Sequence, residues 1–307
     1  MFSAPRARAM LPLPPEVADG LDALLDRALA EDVGPGDVTT LATVPAERQA
    51  TARFLAKESG VLAGLAVAER VFARMDPAPT LTWQAADGDA VEAGAVFGEV
   101  RGAARSLLTG ERLALNLMQR MSGVATAARR MADAARPAVV LDTRKTAPGL
   151  RALDKWAVRL GGAANHRTGL YDMVLVKDNH IEAAGGVEAA VRAVAAYQAA
   201  HPPAVPVEVE VTTLDQLDTL LALAATLRVD RVLLDNMARR LPDGTLDVSL
   251  LREAVARVAG RLETEASGNL TLDTAPAIAA TGVTYLSSGA LTHSVRALDI
   301  SLDLRLE

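Results

Sequence analysis

The sequence predicts an α/β protein, with a mixed α/β module in its first third and a parallel β/α barrel, complete or incomplete, in the remainder. Three observations carry this expectation. Beyond about residue 138, short apolar runs alternate with helical segments, and strand–helix repetition of that kind builds a parallel sheet. Half of the 307 residues are hydrophobic but only 3% are aromatic, so the core should be mostly Ala, Val and Leu, a composition suited to helices packed on parallel strands. No Gly-x-Gly-x-x-Gly follows the first strand and no Gly-Lys-Ser/Thr loop occurs, which counts against both doubly wound nucleotide-binding classes.

The elements follow in order. Residues 17–30 have helical spacing, with Val17, Leu21, Leu24, Leu25 and Leu29 apolar, until Gly34-Pro35-Gly36-Asp37 breaks the pattern. Strands are expected at 53–56, 81–84 and 96–100 and a helix at 66–75, with turns at Asp87-Gly88-Asp89 and at Gly94. A long helix should span 106–135, interrupted near Ser122-Gly123. Six apolar runs then read as strands, at 139–141, 173–176, 207–211, 231–234, 262–264 and 284–286. Helices at 187–200, 214–227, 249–259 and 274–281 separate them, and 298–306 alternates as a terminal strand that can return to the first module. The expected division is a loose tail over 1–15, a first domain over 16–115 joined by 295–307, and a barrel over 116–294.

Composition narrows the function. The formal charge is -6, against a nucleic-acid partner. There is no cysteine, which removes disulfides, thiolate nucleophiles and cysteine metal sites. The first 15 residues lack a long apolar run and carry Pro12, Pro14 and Pro15, unlike a signal peptide, and no stretch of about 18 apolar residues suggests a membrane span. A cytoplasmic protein without a membrane partner is expected. The only lysines are Lys57, Lys145, Lys155 and Lys177, in a chain rich in arginine.

In β/α barrels the chemistry gathers where strands end. Here the six runs lead into Asp142-Thr143-Arg144-Lys145-Thr146, Lys177-Asp178-Asn179-His180, Glu208 and Glu210, Asp235-Asn236, Glu265-Ala266-Ser267-Gly268-Asn269 and Ser287-Ser288-Gly289. Any one of these is commonly a cap or turn, but six in register point to a site. It has two electrostatic halves. Arg144, Lys145, Arg167 and Lys177, with His166, are cationic and suit carboxylates or phosphates, whereas Glu210 and Asp235 are anionic. Carboxylates beside an anion site suit Mg²⁺ bound to a pyrophosphate. Ser267-Gly268-Asn269 and Ser288-Gly289 offer backbone N–H groups to a phosphate. Arg112, near the start of the long helix and one turn before Asn116, reads on its own as a solvated helix charge.

These blocks resemble quinolinate phosphoribosyltransferase, the carboxylating nicotinate-nucleotide pyrophosphorylase family. The resemblance rests on Thr109-Gly110-Glu111-Arg112, Asp142 to Thr146, Gly161-Gly162-Ala163-Ala164-Asn165-His166-Arg167, Val176 to His180, Glu208 to Val211, Leu234-Asp235-Asn236, Glu265 to Asn269 and Ser288 to Thr292. It runs in order from about Ala30 to the C-terminus, departing at Ala163, where a third glycine is more usual, and at Thr212-Thr213.

The resemblance implies an N-terminal α/β sandwich domain joined by the last strand, an open (incomplete) parallel α/β barrel, and a homodimer with Arg112 contributed across the interface. It implies that Arg112, Arg144, His166, Arg167 and Lys177 surround the two carboxylates of quinolinate. Lys145, Glu210 and Asp235 would hold the ribose and Mg²⁺-pyrophosphate end, with Glu210 and Asp235 as metal ligands. The serine–glycine loops would take the 5′-phosphate of phosphoribosyl pyrophosphate, and Lys145, Lys177, Glu210 and Asp235 would form the catalytic set. Two other readings stay open. One is a paralogous phosphoribosyltransferase with another substrate. The other is a barrel lyase with Lys177 as a Schiff-base lysine. A lipoyl-type carrier is excluded, since no lysine lies between Lys57 and Lys145.

Overall fold

The computed structural model describes residues 12–306. The expected tail over 1–15 lies outside the described residues as far as residue 11, and Pro15 already opens the first helix. The elements run α1 (Pro15–Val33), α2 (Val38–Thr43), β1 (Gln49–Ala56), β2 (Gly60–Val61), α3 (Leu65–Phe72), β3 (Thr80–Trp83), β4 (Ala90–Val91), β5 (Val96–Ala103) and α4 (Ala104–Ala134). Then come β6 (Val139–Leu141), α5 (Arg151–Leu160), β7 (Val174–Val176), α6 (Asp178–Ala184), α7 (Val187–Ala200), β8 (Val207–Val211), α8 (Leu214–Leu223) and β9 (Arg231–Asp235). The chain ends with β10 (Arg239–Arg240), β11 (Leu246–Asp247), α9 (Ser249–Val258), β12 (Glu263–Ser267), α10 (Ala275–Ala279), β13 (Tyr285–Ser287), α11 (Ala290–His293) and β14 (Ile300–Leu306).

The chain forms two compact units. The first ends at Arg129 and takes in 146–162 and 291–307; the second comprises 130–145 and 163–290. The first unit holds an antiparallel sheet in the order β14-β1-β5-β3. The alternating terminal strand pairs with β1, Ala50 opposite Leu306 and Ala56 opposite Ile300. The few aromatic residues are concentrated here. Phe54 sits 4.9 Å from Trp83, 5.9 Å from Phe97 and 6.4 Å from Phe72 between ring centroids. A Cβ on Gly98 would strike the Trp83 ring, so this strand position is glycine to admit the indole. The core of this unit is mostly Ala, Val and Leu, as expected, and an aromatic cluster beside β1 and β5 is set within it.

Helix α4 is not interrupted at Ser122-Gly123; it is continuous over 31 residues. The two residues serve close packing instead of a break. Ser122 Oγ accepts the Ala63 N–H at 2.9 Å and donates to the Ala63 carbonyl at 3.1 Å. A Cβ on Gly123 would meet the Arg296 carbonyl. One turn further, Thr126 Oγ1 accepts the Val61 N–H. These contacts keep α4 with the first unit to Arg129, whereas the sequence places the passage between domains at 116. Gly161, which caps α5, is equally constrained, because its Cβ would meet the Ala125 carbonyl.

The second unit is a six-stranded parallel sheet in the order β6-β13-β12-β9-β8-β7. In chain order each strand from β7 onward lies beside its predecessor, and β13 returns to pair with β6. That cyclic order is the order of a barrel, left open between β6 and β7, where Leu141 and Ala164 form only a single bridge. Strand β8 is buried at all five positions, as expected for a parallel strand covered on both faces. Helices α7 and α9 match their expected spans to within one residue, while α8 stops at Leu223, four residues early. Strands β9 and β12 run further than their apolar runs, to Asp235 and Ser267, so Glu265 lies inside its strand and not after it.

Candidate active site

Because all six strands run parallel, their C-terminal ends share one rim, and a cavity of about 510 Å³ opens there. Each strand delivers side chains to it. Thr143, Arg144 and Lys145 follow β6; Lys177 and Asp178 follow β7; Glu210 comes from β8, Asp235 from β9, Glu265 and Ser267 from β12, and Ser287 from β13. His166 and Arg167 come from the segment between β6 and β7.

The cationic side is built from the chain outward. Asp142, fully buried at the end of β6, accepts the His166 N–H at 2.8 Å and the Asn165 amide at 2.8 Å. One carboxylate thus fixes the loop that presents His166 and Arg167, a role the sequence reading did not assign. Its signal was an acid directly after a strand, which reads as a cap. Arg167 reaches the Met173 carbonyl at 3.4 Å. Burial, and then the neighbouring Arg144, hold its guanidinium below the ordinary arginine range. Arg144 Nε is buried with no hydrogen-bond partner, a donor that an anion in the cavity would satisfy. Lys177 caps α6. Its N–H bonds His180 Nδ1 at 2.9 Å, and its Nζ stands 3.9 Å from Glu210 Oε2.

The anionic side is Glu210 and Asp235. Burial and the nearby Asp235 raise the Glu210 carboxyl above the usual carboxylate range, partly offset by the Asp178 N–H at 3.4 Å. Asp235 Oδ2 takes the Asn236 amide at 2.6 Å. Two carboxylates from adjacent strands offer hard oxygen donors that fit a divalent cation of the Mg²⁺ type.

Of the remaining sequence-named residues, Ser267 lines the cavity, while Gly268, Asn269, Ser288 and Gly289 are not among its lining residues. Gly268 has φ 87°, and a Cβ there would strike the Asn236 side chain. Asn269 bonds the Ala238 carbonyl at 3.0 Å, and the Ser288 N–H bonds Leu141 O at 3.0 Å across the β13–β6 pair. Arg112 lies on α4 in the first unit, with its side chain 58% exposed and 3.9 Å from Glu111, and it is not among the lining residues.

Sequence reasoning missed a buried charge cluster below the cavity. Glu208 and Glu265 are fully buried. His166 Nε2 lies 2.9 Å from Glu208 Oε2 and 3.6 Å from Glu265 Oε2, and Arg231 donates to Glu265 at 3.0 Å. The available signal was Val-Glu-Val-Glu-Val, which puts Glu208 and Glu210 on one face of a buried strand. The His166, Glu208 and Glu265 ligand atoms also lie within 4.8 Å of one another, close enough to hold a metal, although Arg231 already supplies a positive charge there.

Burial, then Glu208, push the Glu265 carboxyl up to about 7 from 4.5. A carboxyl whose folded pKa is raised gives stability that is fully present below the unfolded value and is lost as pH rises through the folded one. The stability of the wild type relative to Glu265→Gln should therefore fall as pH rises from 4.5 to about 7. Urea unfolding of both proteins at about pH 5 and about pH 8 measures it. An unchanged difference between the two proteins would contradict the raised pKa.

Comparison with known proteins agrees with this geometry. Residues 37–122 match the family model of the quinolinate phosphoribosyl transferase N-terminal domain, and residues 124–303 match that of the C-terminal domain. A rice (Oryza sativa) relative, the chloroplastic nicotinate-nucleotide pyrophosphorylase [carboxylating], is 51% identical over 98% of this chain and 82% of its own. A Bacillus subtilis relative, a probable nicotinate-nucleotide pyrophosphorylase, is 41% identical over 93% of this chain and 94% of its own. The crystal structure of NadC from Streptococcus pyogenes superposes with a TM-score of 0.87 at 39% identity, covering 97% of this chain and 99% of that one. With both domain models matched in order and relatives of this identity over nearly the whole chain, the protein belongs to the quinolinate phosphoribosyltransferase family.

Proposed function

We propose that the protein transfers the phosphoribosyl group of phosphoribosyl pyrophosphate to quinolinate and decarboxylates the adduct, giving nicotinate mononucleotide, CO₂ and pyrophosphate, a step of NAD biosynthesis. The observation that carries this reading is the division of one cavity into a cationic side, with Arg144, Arg167 and Lys177, and an acidic side, with Glu210 and Asp235. The first suits the two carboxylates of quinolinate. The second suits a cationic sugar centre and a metal-bound pyrophosphate.

In this reaction the C1′–O bond to pyrophosphate breaks, and its electron pair leaves with the pyrophosphate. The pyridine nitrogen donates its lone pair to C1′, and the ring becomes a pyridinium. The C2–carboxylate bond then breaks, CO₂ leaves, and the pair stays on C2 beside the positive nitrogen until a proton takes it. Arg144 and Arg167 hold the carboxylates so that the nitrogen faces the sugar. Glu210 and Asp235 stabilise positive charge developing at C1′. Lys145, exposed at the rim, serves the leaving group, and Ser267, with the Ser288-Gly289 turn, the 5′-phosphate. Lys177 lies beside Glu210 and can carry the proton to C2. Glu210 and Asp235 would hold Mg²⁺, whose chemistry is to neutralise the departing pyrophosphate.

The same proposal includes a homodimer in which Arg112 of a second copy completes the dicarboxylate site. Its support is the exposed guanidinium on α4, absent from the cavity lining, together with the family resemblance. The compartment is a separate question. Among the described residues no helix is long and apolar enough to cross a membrane. The rice relative is named chloroplastic and a Nicotiana glauca relative mitochondrial.

Purified protein with quinolinate, phosphoribosyl pyrophosphate and Mg²⁺ should release nicotinate mononucleotide and CO₂ in equal amounts, with nicotinate inert in parallel. Product from another acceptor and none from quinolinate would overturn the reading in favour of a paralogous transferase. Separately, the inactive variants Arg112→Ala and Asp235→Asn, mixed and allowed to exchange subunits, should recover about a quarter of wild-type activity, because each mixed dimer has one intact site. No recovery despite confirmed exchange would place Arg112 in its own subunit's site.

A further inference from the structure

Asp154 on α5 is a fully buried acid that does not line the cavity and that the proposed reaction does not use. Its carboxylate meets the guanidinium of Arg120 on α4 side by side, Nε to Oδ1 at 2.9 Å and Nη2 to Oδ2 at 2.8 Å. A fork of two parallel bonds fixes the orientation of both groups. Each partner then reaches one further backbone group. Asp154 Oδ2 accepts the Ala147 N–H at 3.2 Å, and Arg120 Nη2 donates to the Thr292 carbonyl at 3.3 Å. Helix α4 is itself anchored at this point. Gln119 donates to the Ile300 carbonyl at 2.7 Å, and Ser122 bonds both the N–H and the carbonyl of Ala63.

The two backbone groups stand at informative places in the chain. Ala147 follows Lys145 by two residues, and Thr292 follows Gly289 by three. The chain enters the first unit just ahead of each, after Lys145 and after Ala290. The ion pair therefore grips the chain directly downstream of Lys145 and of the Ser288-Gly289 turn, the groups assigned above to the leaving group and the 5′-phosphate. The loop beyond Lys145 is braced as well. The Leu150 N–H returns to the Ala147 carbonyl at 3.0 Å, Arg151 Nε bonds Thr146 Oγ1 at 3.1 Å, and the Lys145 N–H bonds Thr143 Oγ1 at 3.1 Å.

Stability alone is a weak reason for such a pair. Taking both charges out of water offsets most of their attraction, and an apolar pair of similar volume commonly holds a fold as well. An apolar pair could not bond two backbone groups on separate segments. We propose that Arg120 and Asp154 are positioning residues for phosphoribosyl pyrophosphate, one ion pair setting both Lys145 and the Ser288-Gly289 turn. This rests on the reading of the cavity above. Among the cations on the quinolinate side, Arg144 shares the tethered loop, whereas the Arg167 loop is held by Asp142 and Lys177 by His180. Loss of the pair should therefore weaken the phosphoribosyl pyrophosphate end more than the quinolinate end.

The test separates position from stability. Arg120→Met or Asp154→Leu alone leaves a charge without its partner and can fail to fold. The double variant Arg120→Met, Asp154→Leu removes both charges and should melt within about 5 °C of the wild type. Its KM for phosphoribosyl pyrophosphate should nevertheless rise at least roughly tenfold, with the quinolinate KM within about threefold. A folded double variant with both KM values unchanged would make the pair a stability element only and overturn the proposal. A rise of both KM values by the same factor would overturn it too, as general loosening of the site.

Arg120→Lys decides the matter if the double variant does not fold. It keeps the charge facing Asp154 but not the planar fork. The phosphoribosyl pyrophosphate KM should rise at least about threefold and the quinolinate KM stay within about twofold; an unchanged phosphoribosyl pyrophosphate KM overturns the positioning role. If the wild type turns over no quinolinate, the function fails by itself. Calorimetric titration of wild type and Arg120→Lys with Mg²⁺-phosphoribosyl pyrophosphate then reads the positioning role, and equal affinities overturn it.

Discussion

Repulsion among the cations at the barrel mouth is the constraint on which the rest of the site depends. Arg144 and Arg167 share a cavity with Lys177, and Arg144 together with burial holds Arg167 below its ordinary range. Such groups would move apart unless the fold held them. It does so with buried acids at strand ends. Asp142 clamps the loop carrying His166 and Arg167 through two hydrogen bonds of 2.8 Å, and the buried Glu208 carboxylate lies 2.9 Å from the imidazole. The unbonded, buried Nε of Arg144 is the residue of this arrangement: a desolvated donor kept for a ligand. Preorganisation of this kind is costly to the empty protein and lowers the cost of binding a dianion.

The parallel barrel makes the clamp possible. Six strands ending at one rim bring together residues as far apart in sequence as Arg144 and Ser287. Opposite charges can then be segregated within a cavity of about 510 Å³, the cations from β6, β7 and the loop between them, the acids from β8 and β9. The two sets come together where Lys177 Nζ stands 3.9 Å from Glu210. That boundary is where the new glycosidic bond forms in the proposed reaction, between a ring held by cations and a sugar stabilised by carboxylates.

Much of this was legible in the sequence because the signals were local. Apolar runs followed by charged or glycine residues mark both the strands and the residues they deliver, and Arg144, Lys177, Glu210 and Asp235 were found that way. What escaped was long-range or disguised. Glu208, Glu265 and His166 were each named among the strand-end or site residues, but they and Arg231 lie on four separate segments, and nothing local in the sequence shows that they meet in one buried cluster. Helix α5 escaped because it buries Asp154 and Lys155, breaking the apolar period. Ser122-Gly123 misled in the other direction. Residues typical of a break sit in an unbroken helix because their small size admits the backbone of Ala63 and Arg296.

The central claim is that the two electrostatic sides bind different substrates, and equilibrium binding to the two sides separately is the direct test. Calorimetric titration of quinolinate should weaken about 100-fold in Arg144→Ala, roughly 2.7 kcal/mol, and stay within about twofold in Asp235→Asn, while Mg²⁺-phosphoribosyl pyrophosphate shows the reverse pattern. Equal weakening of both ligands by either substitution would contradict the division of the cavity.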